Sequence, residues 1–375
     1  MDRRQFSALF AGTFASTWTR RGAPLLHADP AGNTSSAASQ VYARSLVLDC
    51  NSGPPYEDGK LPLSSAAIQL VHDSGVDVVK LSIGGLNAIF VDAVEEIAYL
   101  QQMFEVHSRV FFQVRVADDL QRAKAEHKLG IIFSFESVDM LEGEVANIDV
   151  FRNLGVRVMQ LSYNNKSAFA AGVMAPDGGG LTDVGRQAVR RMNDLGITID
   201  LSHANPSTTT DVLALSTKPV AMTHAGAAAV HPHPRNKTDV QLRALAEKGG
   251  VIGIYDLPYL TASPNQPTVE DYMMHLVHCL KVAGEDHVGV GSDVGLGPFD
   301  TSSKGMEQFR KMTEARQKAG LAAPEEDRPL YVEGMNTPRR MEIVADQLLA
   351  RGFGEVAVEK VLGANFARVF KETWT

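Results

Sequence analysis

Apolar residues in this chain recur in two rhythms. Short runs of strand length punctuate the body: SLVLDCN, VDVVKLSIGG, VFFQVRV, LGIIFSFES, GVRVMQLSY, GITIDLSH, KPVAMTHA, GGVIGIYD and HVGVGSD. Most are bounded by Gly, Pro or small residues, as buried strands are. Between them lie longer segments of helical period, such as VDAVEEIAYLQQMFEV, LTDVGRQAVRRMNDLG and DVQLRALAEKG. Strands alternating with helices predict βαβ units and a parallel sheet. No linker interrupts residues 41–375, which are read as a single domain. The expected fold is α/β, a (β/α)8 barrel of the TIM type, whose active sites lie at the C-terminal strand ends. The nine runs exceed a barrel's eight strands by one, so one is either accessory or not a strand. An open doubly wound sheet is the alternative, but no GxGxxG turn follows the first run. Near the C-terminus, GANFARVF reads as a helix that packs against and closes the barrel.

Composition narrows the class. With 44% hydrophobic residues over 375 positions, the chain can bury a sizeable core. A net charge of −8 and the lack of any Lys/Arg-rich block argue against nucleic-acid binding. No segment reaches the roughly 18 apolar residues that a membrane span requires. The two cysteines, Cys50 and Cys279, form neither a disulfide framework nor a CxxC metal knuckle. At the N-terminus, MDRRQFSALFAGTFAS sets Arg3 and Arg4 before a short, moderately apolar stretch. This resembles a twin-arginine export signal and implies a periplasmic destination. The plain alternative is a polar tail with two chance arginines and a cytoplasmic protein. Residues 1–40 are read as export signal or disordered leader and set apart from the fold.

Three of the runs end in residues able to bind a metal: His203 after GITIDLS, His224 after KPVAMT and Asp293 after HVGVGS. One histidine beside an apolar run is more often a core residue than a ligand. Three such strand ends, converging on one face of a barrel, point to a metal-assisted hydrolase. Glu136 interrupts the apolar run IIFSFES, and a carboxylate is rarely buried unless paired or bound to metal. Its alternative is a buried salt bridge to a lysine or arginine. Joined with His203 and His224, it completes a His2Glu set that suits zinc (Zn2+) with one position open for water. Such a zinc brings the pKa of its water to about 7. Asp293 has two readings, metal ligand or proton-transfer carboxylate, with a helix N-cap as the plain one. Asp200 is a candidate for orienting a ligand from behind. Arg235, in HPHPRNKTD, is a natural clamp for a substrate carboxylate, against the bland reading of a surface arginine. His231 and His233 in the same loop read as loop residues, not ligands.

From about Val47 to the C-terminus the chain resembles the renal, or membrane, dipeptidase family of metallopeptidases. The resemblance is carried by FSFES, GVRVMQLSYNN, GLTDVGRQAVRRMNDLGITIDLSHAN, THAGAAAVHPHPRN, EKGGVIGI, DHVGVGSDVG and LGANFARVF. It implies an amidohydrolase-type barrel, two zinc ions and hydrolysis of dipeptides with broad side-chain tolerance. By position Glu136 matches the carboxylate bridging the metals, and His203 and His224 match imidazole ligands of one of them. Asp293 matches the acid at the other metal, and Arg235 the clamp for the substrate's carboxylate. Two departures stand out. Where the family's first strand ends in HxD, this chain has Asn51 and Gly53, and neither suits zinc. Strand alternation would set Asp49 on the side of Asn51 and turn Cys50 away. Tyr163 stands where the family usually has a histidine near the substrate; it retains a hydrogen-bond donor but not a positive charge. The expectation is a dipeptidase-like zinc hydrolase with one tight metal and a doubtful second. The alternatives are a degenerate relative that binds metal or peptide without turnover, and an amidohydrolase acting on another amide or a lactone. The family often forms dimers, so a homodimer is implied by resemblance alone.

Overall fold

The computed structural model describes residues 34–374 except Leu86; the stretch read as an export signal, with Arg3 and Arg4, lies outside the described residues. All nine apolar runs become parallel strands: β1 (Leu48–Asp49), β2 (Val78–Ser82), β3 (Phe111–Gln113), β4 (Leu129–Phe135), β5 (Val156–Met159), β6 (Thr198–Ile199), β7 (Ala221–Ala225), β8 (Val251–Ile254) and β9 (Val288–Val290). They form two sheets, β1-β2-β4-β5-β6 with β3 beside β4, and β7-β8-β9. Isolated contacts draw the sheets toward a ring. Asp200 bridges in parallel to Ala221 between β6 and β7, and the Cys50 N–H donates to Val290 O at 2.9 Å between β9 and β1. The result is a partly closed barrel of amidohydrolase type. The extra run is β3, which lies off the main strand order. β3 pairs with Leu129–Ile131 of β4 and β5 with Phe133–Phe135, so both share the edge of β4 that faces away from β2.

Local sequence sets the alternation. In the helix Asp183–Leu195, the Thr182 side chain accepts from Gly185 N, Ala188, Val189 and Met192 are buried, and Gly196 ends the helix in the left-handed region at φ 65°. The chain is thereby turned into β6 and delivered to His203. The interior of the barrel holds Leu48, Cys50, Val78, Ile132, Val158, Ala221 and Val251, with Phe366, Phe370 and Trp374 of the C-terminal helix packed against them. The helix Asn365–Thr373, from GANFARVF, thus closes one end, anchored by Asn365 Nδ2 on Val288 O at 2.8 Å. The wall is tight where β7, β8 and β9 meet. A Cβ at Gly291 would lie 1.8 Å from Thr223 O and one at Gly253 2.2 Å from it, so both positions require glycine.

Two expectations need correction. The fold begins earlier than residue 41: the helix Ser36–Arg44 buries Ala38, and Ser39 Oγ donates to Glu342 at 2.6 Å. Alternation along β1 also runs opposite to the expected sense. Cys50 belongs to the barrel interior, whereas Asp49 is held by Ser292, through its N–H at 2.8 Å and its Oγ at 2.5 Å. Asp49 is therefore fully engaged and makes no substitute ligand. Two hydrogen-bonded residues are too short a strand to carry parity to its frayed end. Among the described residues, no helix is long and apolar enough to cross a membrane.

Candidate active site

Glu136, His203 and His224 follow or end β4, β6 and β7, and one ligand atom of each lies within 4.8 Å of the others. The two imidazoles are completely buried. Their Nε2 atoms face each other at 3.0 Å, and Glu136 Oε2 lies 3.8 Å from His203 Nε2. The partners on the far side of each ring decide the tautomers. His203 Nδ1 is 2.7 Å from Asn164 Oδ1, which can only accept, so Nδ1 carries the proton and Nε2 a lone pair. Thr223 Oγ1 already donates to Asp200 Oδ2 at 2.6 Å, leaving its oxygen to accept from His224 Nδ1 at 2.9 Å. His224 Nε2 therefore also presents a lone pair. Two opposed lone pairs repel, and an unsatisfied buried acceptor costs about 1–3 kcal/mol. A cation bound by both nitrogens would relieve this repulsion. A shared proton is disfavoured, because burial, and then the nearby Arg235 charge, push both histidines well below their usual range. Neutral imidazoles and a carboxylate fit a divalent metal of the zinc type.

Asp200 is the far end of this support. Its Oδ1 accepts from Ser202 Oγ at 2.5 Å and Thr223 N at 3.0 Å, and its Oδ2 from Gln160 Nε2 at 3.1 Å as well as from Thr223. A carboxylate–threonine–histidine chain of this kind fixes ring orientation. Lys80 Nζ, fully buried, lies 3.9 Å from Asp200 Oδ2.

The other half of the site is built differently. Asn51 Nδ2 donates one hydrogen to Glu136 Oε1 at 2.8 Å and the other to Asp293 Oδ1 at 2.6 Å. Ser82 Oγ adds a second donor to Glu136 at 2.7 Å. Glu136 thus makes no pair with a lysine or arginine among the described residues, contrary to its bland reading. Asp293, expected at the other metal or as the proton-transfer acid, lies outside the Glu136–His203–His224 cluster, and its carboxylate accepts from the Asn51 amide. Its backbone has φ 59°, and its N–H donates to Asn51 O at 2.8 Å. A left-handed aspartate outside a turn of glycine is uncommon and is found where structure over-determines it. No helix begins at Asp293; the next one starts at Ser303, which removes the N-cap reading. Burial, and then the Glu136 charge, raise the Asp293 carboxyl well above its usual range, with Arg235 and Lys80 opposing.

Arg235 is 2% exposed, not a surface residue. Its Nη2 reaches His224 O at 3.4 Å and its Nε has no hydrogen-bond partner. Burial works against its charge, but Asp293 and the neighbouring tyrosines more than restore it. Tyr163 stacks on the His203 ring with centroids 4.0 Å apart and planes at 26°. His231 and His233 stay out of the cluster, bonded to Glu325 at 3.0 Å and Pro324 O at 2.8 Å. Sequence reasoning missed Ser82, Asn164, Thr223, Lys80 and Arg316. Asn164 and Thr223 adjoin Tyr163 and His224 within motifs already singled out, and an Asn or Thr beside a ligand-bearing strand end was the available signal. Lys80 was visible as the one cation inside VDVVKLSIGG.

A parallel α/β barrel with a His2Glu cluster at its strand ends defines a metal-site protein of the amidohydrolase kind. The model of the membrane dipeptidase family (peptidase family M19) matches residues 38–318, and the chain belongs to that family. It is 32% identical to a dipeptidase, tcpJ, of Claviceps purpurea over 284 residues, covering 75% of this chain and 60% of that protein. The chain thus spans under two thirds of that relative. An amidohydrolase from Pseudomonas aeruginosa superposes with a TM-score of 0.78 at 27% identity, over 90% of this chain and 99% of that one. A metallopeptidase from Rhodobacter sphaeroides, solved with a phosphinate mimic of the dipeptide L-Ala-D-Ala, shares the fold with a TM-score of 0.71 at 22% identity, over 88% and 99%.

Proposed function

We propose that this protein is a zinc-dependent hydrolase that cleaves the peptide bond of dipeptides and works with one tightly held metal. The observation that carries this is the contrast at Glu136: one oxygen faces two opposed histidine lone pairs, and the other is occupied by the amide of Asn51. Zinc held by Glu136, His203 and His224 would bring the pKa of a water in the site to about 7, supplying the nucleophile. Every other task falls to the chain. Asp293 takes a proton as the water oxygen bonds to the carbonyl carbon, and returns it to the amine as the C–N bond breaks. Its raised pKa moves it toward the operating pH of such a shuttle. Arg235 offers an unpartnered Nε–H, well suited to a substrate carboxylate. Ser82 and Asn51 hold Glu136 in place.

Relatives support this reading through the names they carry, dipeptidase and metallopeptidase. A panel of free dipeptides, dipeptide amides, N-acyl amino acids and lactones, assayed with and without chelator, tests it. Chelator-sensitive cleavage of free dipeptides is expected, with dipeptide amides poor because Arg235 loses its carboxylate. Cleavage of lactones with dipeptides untouched would replace the substrate class. The export reading is also ours; it rests on Arg3 and Arg4 and implies a mature N-terminus beyond them in a periplasmic extract.

A further inference from the structure

Tyr163 carries no charge of its own, yet a positive charge stands directly behind it. Arg316, on the helix Ser303–Lys318, is 9% exposed. Its Nη2 donates to Tyr163 Oη at 3.2 Å and to Glu326 Oε2 at 3.1 Å, and its Nε donates to Glu326 Oε1. Glu326 is 8% exposed, and its Oε2 also accepts from Tyr259 Oη and Ala323 N, each at 3.0 Å. The guanidinium is therefore locked by its own carboxylate before it meets the phenol.

The direction of the Arg316–Tyr163 bond matters. A guanidinium has donors only, so the phenol oxygen must be the acceptor and its hydrogen points elsewhere. No described residue takes that hydrogen. The ring is stacked on His203, which fixes the phenol against the Glu136–His203–His224 cluster. The Arg316 guanidinium, 3.2 Å from the phenol oxygen, polarises its O–H bond. A phenol that accepts from a cation is a stronger donor than a free one.

We propose that Arg316 is a positioning residue that makes Tyr163 a charge-assisted hydrogen-bond donor to the scissile carbonyl oxygen. This rests on the hydrolase reading above. As the water oxygen bonds to the carbonyl carbon, the carbonyl electron pair moves onto oxygen, where Tyr163 donates a hydrogen bond without losing its proton. When the C–N bond breaks, that pair returns and the donor is unchanged. The chain Glu326–Arg316–Tyr163 thereby delivers, one side chain back, the charge that a protonated imidazole would carry itself.

The test uses the zinc-loaded full chain and the variants Tyr163→Phe, Arg316→Met, Arg316→Lys and the double Tyr163→Phe/Arg316→Met. Steady-state kinetics on a cleaved dipeptide are read beside calorimetric affinity for a dipeptide phosphinate, which presents a tetrahedral oxyanion. Tyr163→Phe should lower kcat and phosphinate affinity about a hundredfold, the scale of one oxyanion donor, with little change in KM. Arg316→Met should cost about tenfold or more in both, with zinc content unchanged and no further loss in the Tyr163→Phe background. Arg316→Lys, which keeps a cationic donor, should recover part of the loss. Additive losses, or phosphinate affinity equal in wild type and variants, overturn the proposal. Phosphinate binding that follows this pattern without dipeptide turnover would instead sink the hydrolase reading and leave the Arg316–Tyr163 assignment standing.

Discussion

Glu136 divides the site into two halves that use similar strand ends to opposite effect. On one side, His203 and His224 turn bare nitrogens toward each other at 3.0 Å, each fixed by a partner behind it, Asn164 or Thr223. On the other side, two carboxylates converge on the donor hydrogens of Asn51. The first half is polar and unsatisfied, which is what an ion requires. The second is polar and already satisfied by the Asn51 amide. A metal site is thus recognised less by its ligand types than by whether their lone pairs have already been spent.

The largest expected effect comes from breaking the unsatisfied half. His224→Ala leaves His203 and Glu136 without a third ligand, so zinc content and hydrolysis should both fall to background; zinc and rate retained would show that the cluster is not the centre. Next comes the support. Asn164→Ala frees His203 Nδ1 from its 2.7 Å partner and should weaken zinc binding by about 10–100-fold, measured by competition with a chromophoric chelator. Unchanged affinity would mean that Asn164 does not set the tautomer.

The satisfied half can be rebuilt instead. In Asn51→His/Gly53→Asp the bridging amide is gone and the HxD pair is present, so zinc should rise from about one to about two per chain, read by elemental analysis. A double variant that folds and still binds one would show that the amide is not what keeps the second metal out.

The smallest effect calibrates the comparison, through a buried carboxylate that no amide serves. Asp256 is 2% exposed, its Oδ1 has no hydrogen bond, and Arg340 Nε lies 3.9 Å from its Oδ2. Burial pushes its pKa up to about 7, with Arg340 opposing. The folded state then keeps a proton that the unfolded chain releases above about pH 4. The stabilising contribution is complete below that pH and is lost as pH rises through about 7. Asp256→Asn should remove this slope and raise Tm by a few degrees near pH 8. A slope that survives the substitution would assign the effect to other groups.

Much of the first half was legible in the chain. Apolar runs survive as strands because both faces are buried, and a polar residue at the end of such a run can only sit at the rim. His203, His224 and Glu136 were found that way. The second half was not legible, because its logic is long-range. Asn51 meets Glu136 85 residues away and Asp293 242 residues away. Only the fold could show that the missing HxD leaves a hydrogen-bonded bridge, not a gap. Arg316 lies 153 residues from Tyr163, inside a helix whose sequence reads as ordinary amphipathic surface. The parity of Asp49 and Cys50 misled for a local reason: a strand of two residues sets no reliable alternation beyond itself.

The central claim, one metal held by the unsatisfied half alone, is tested most directly by counting zinc in purified protein. Elemental analysis of wild type and His224→Ala, taken through the same zinc loading and desalting, suffices. The account predicts about one zinc per chain in wild type and almost none in the variant. About two zinc ions per chain in wild type, or none, would contradict it.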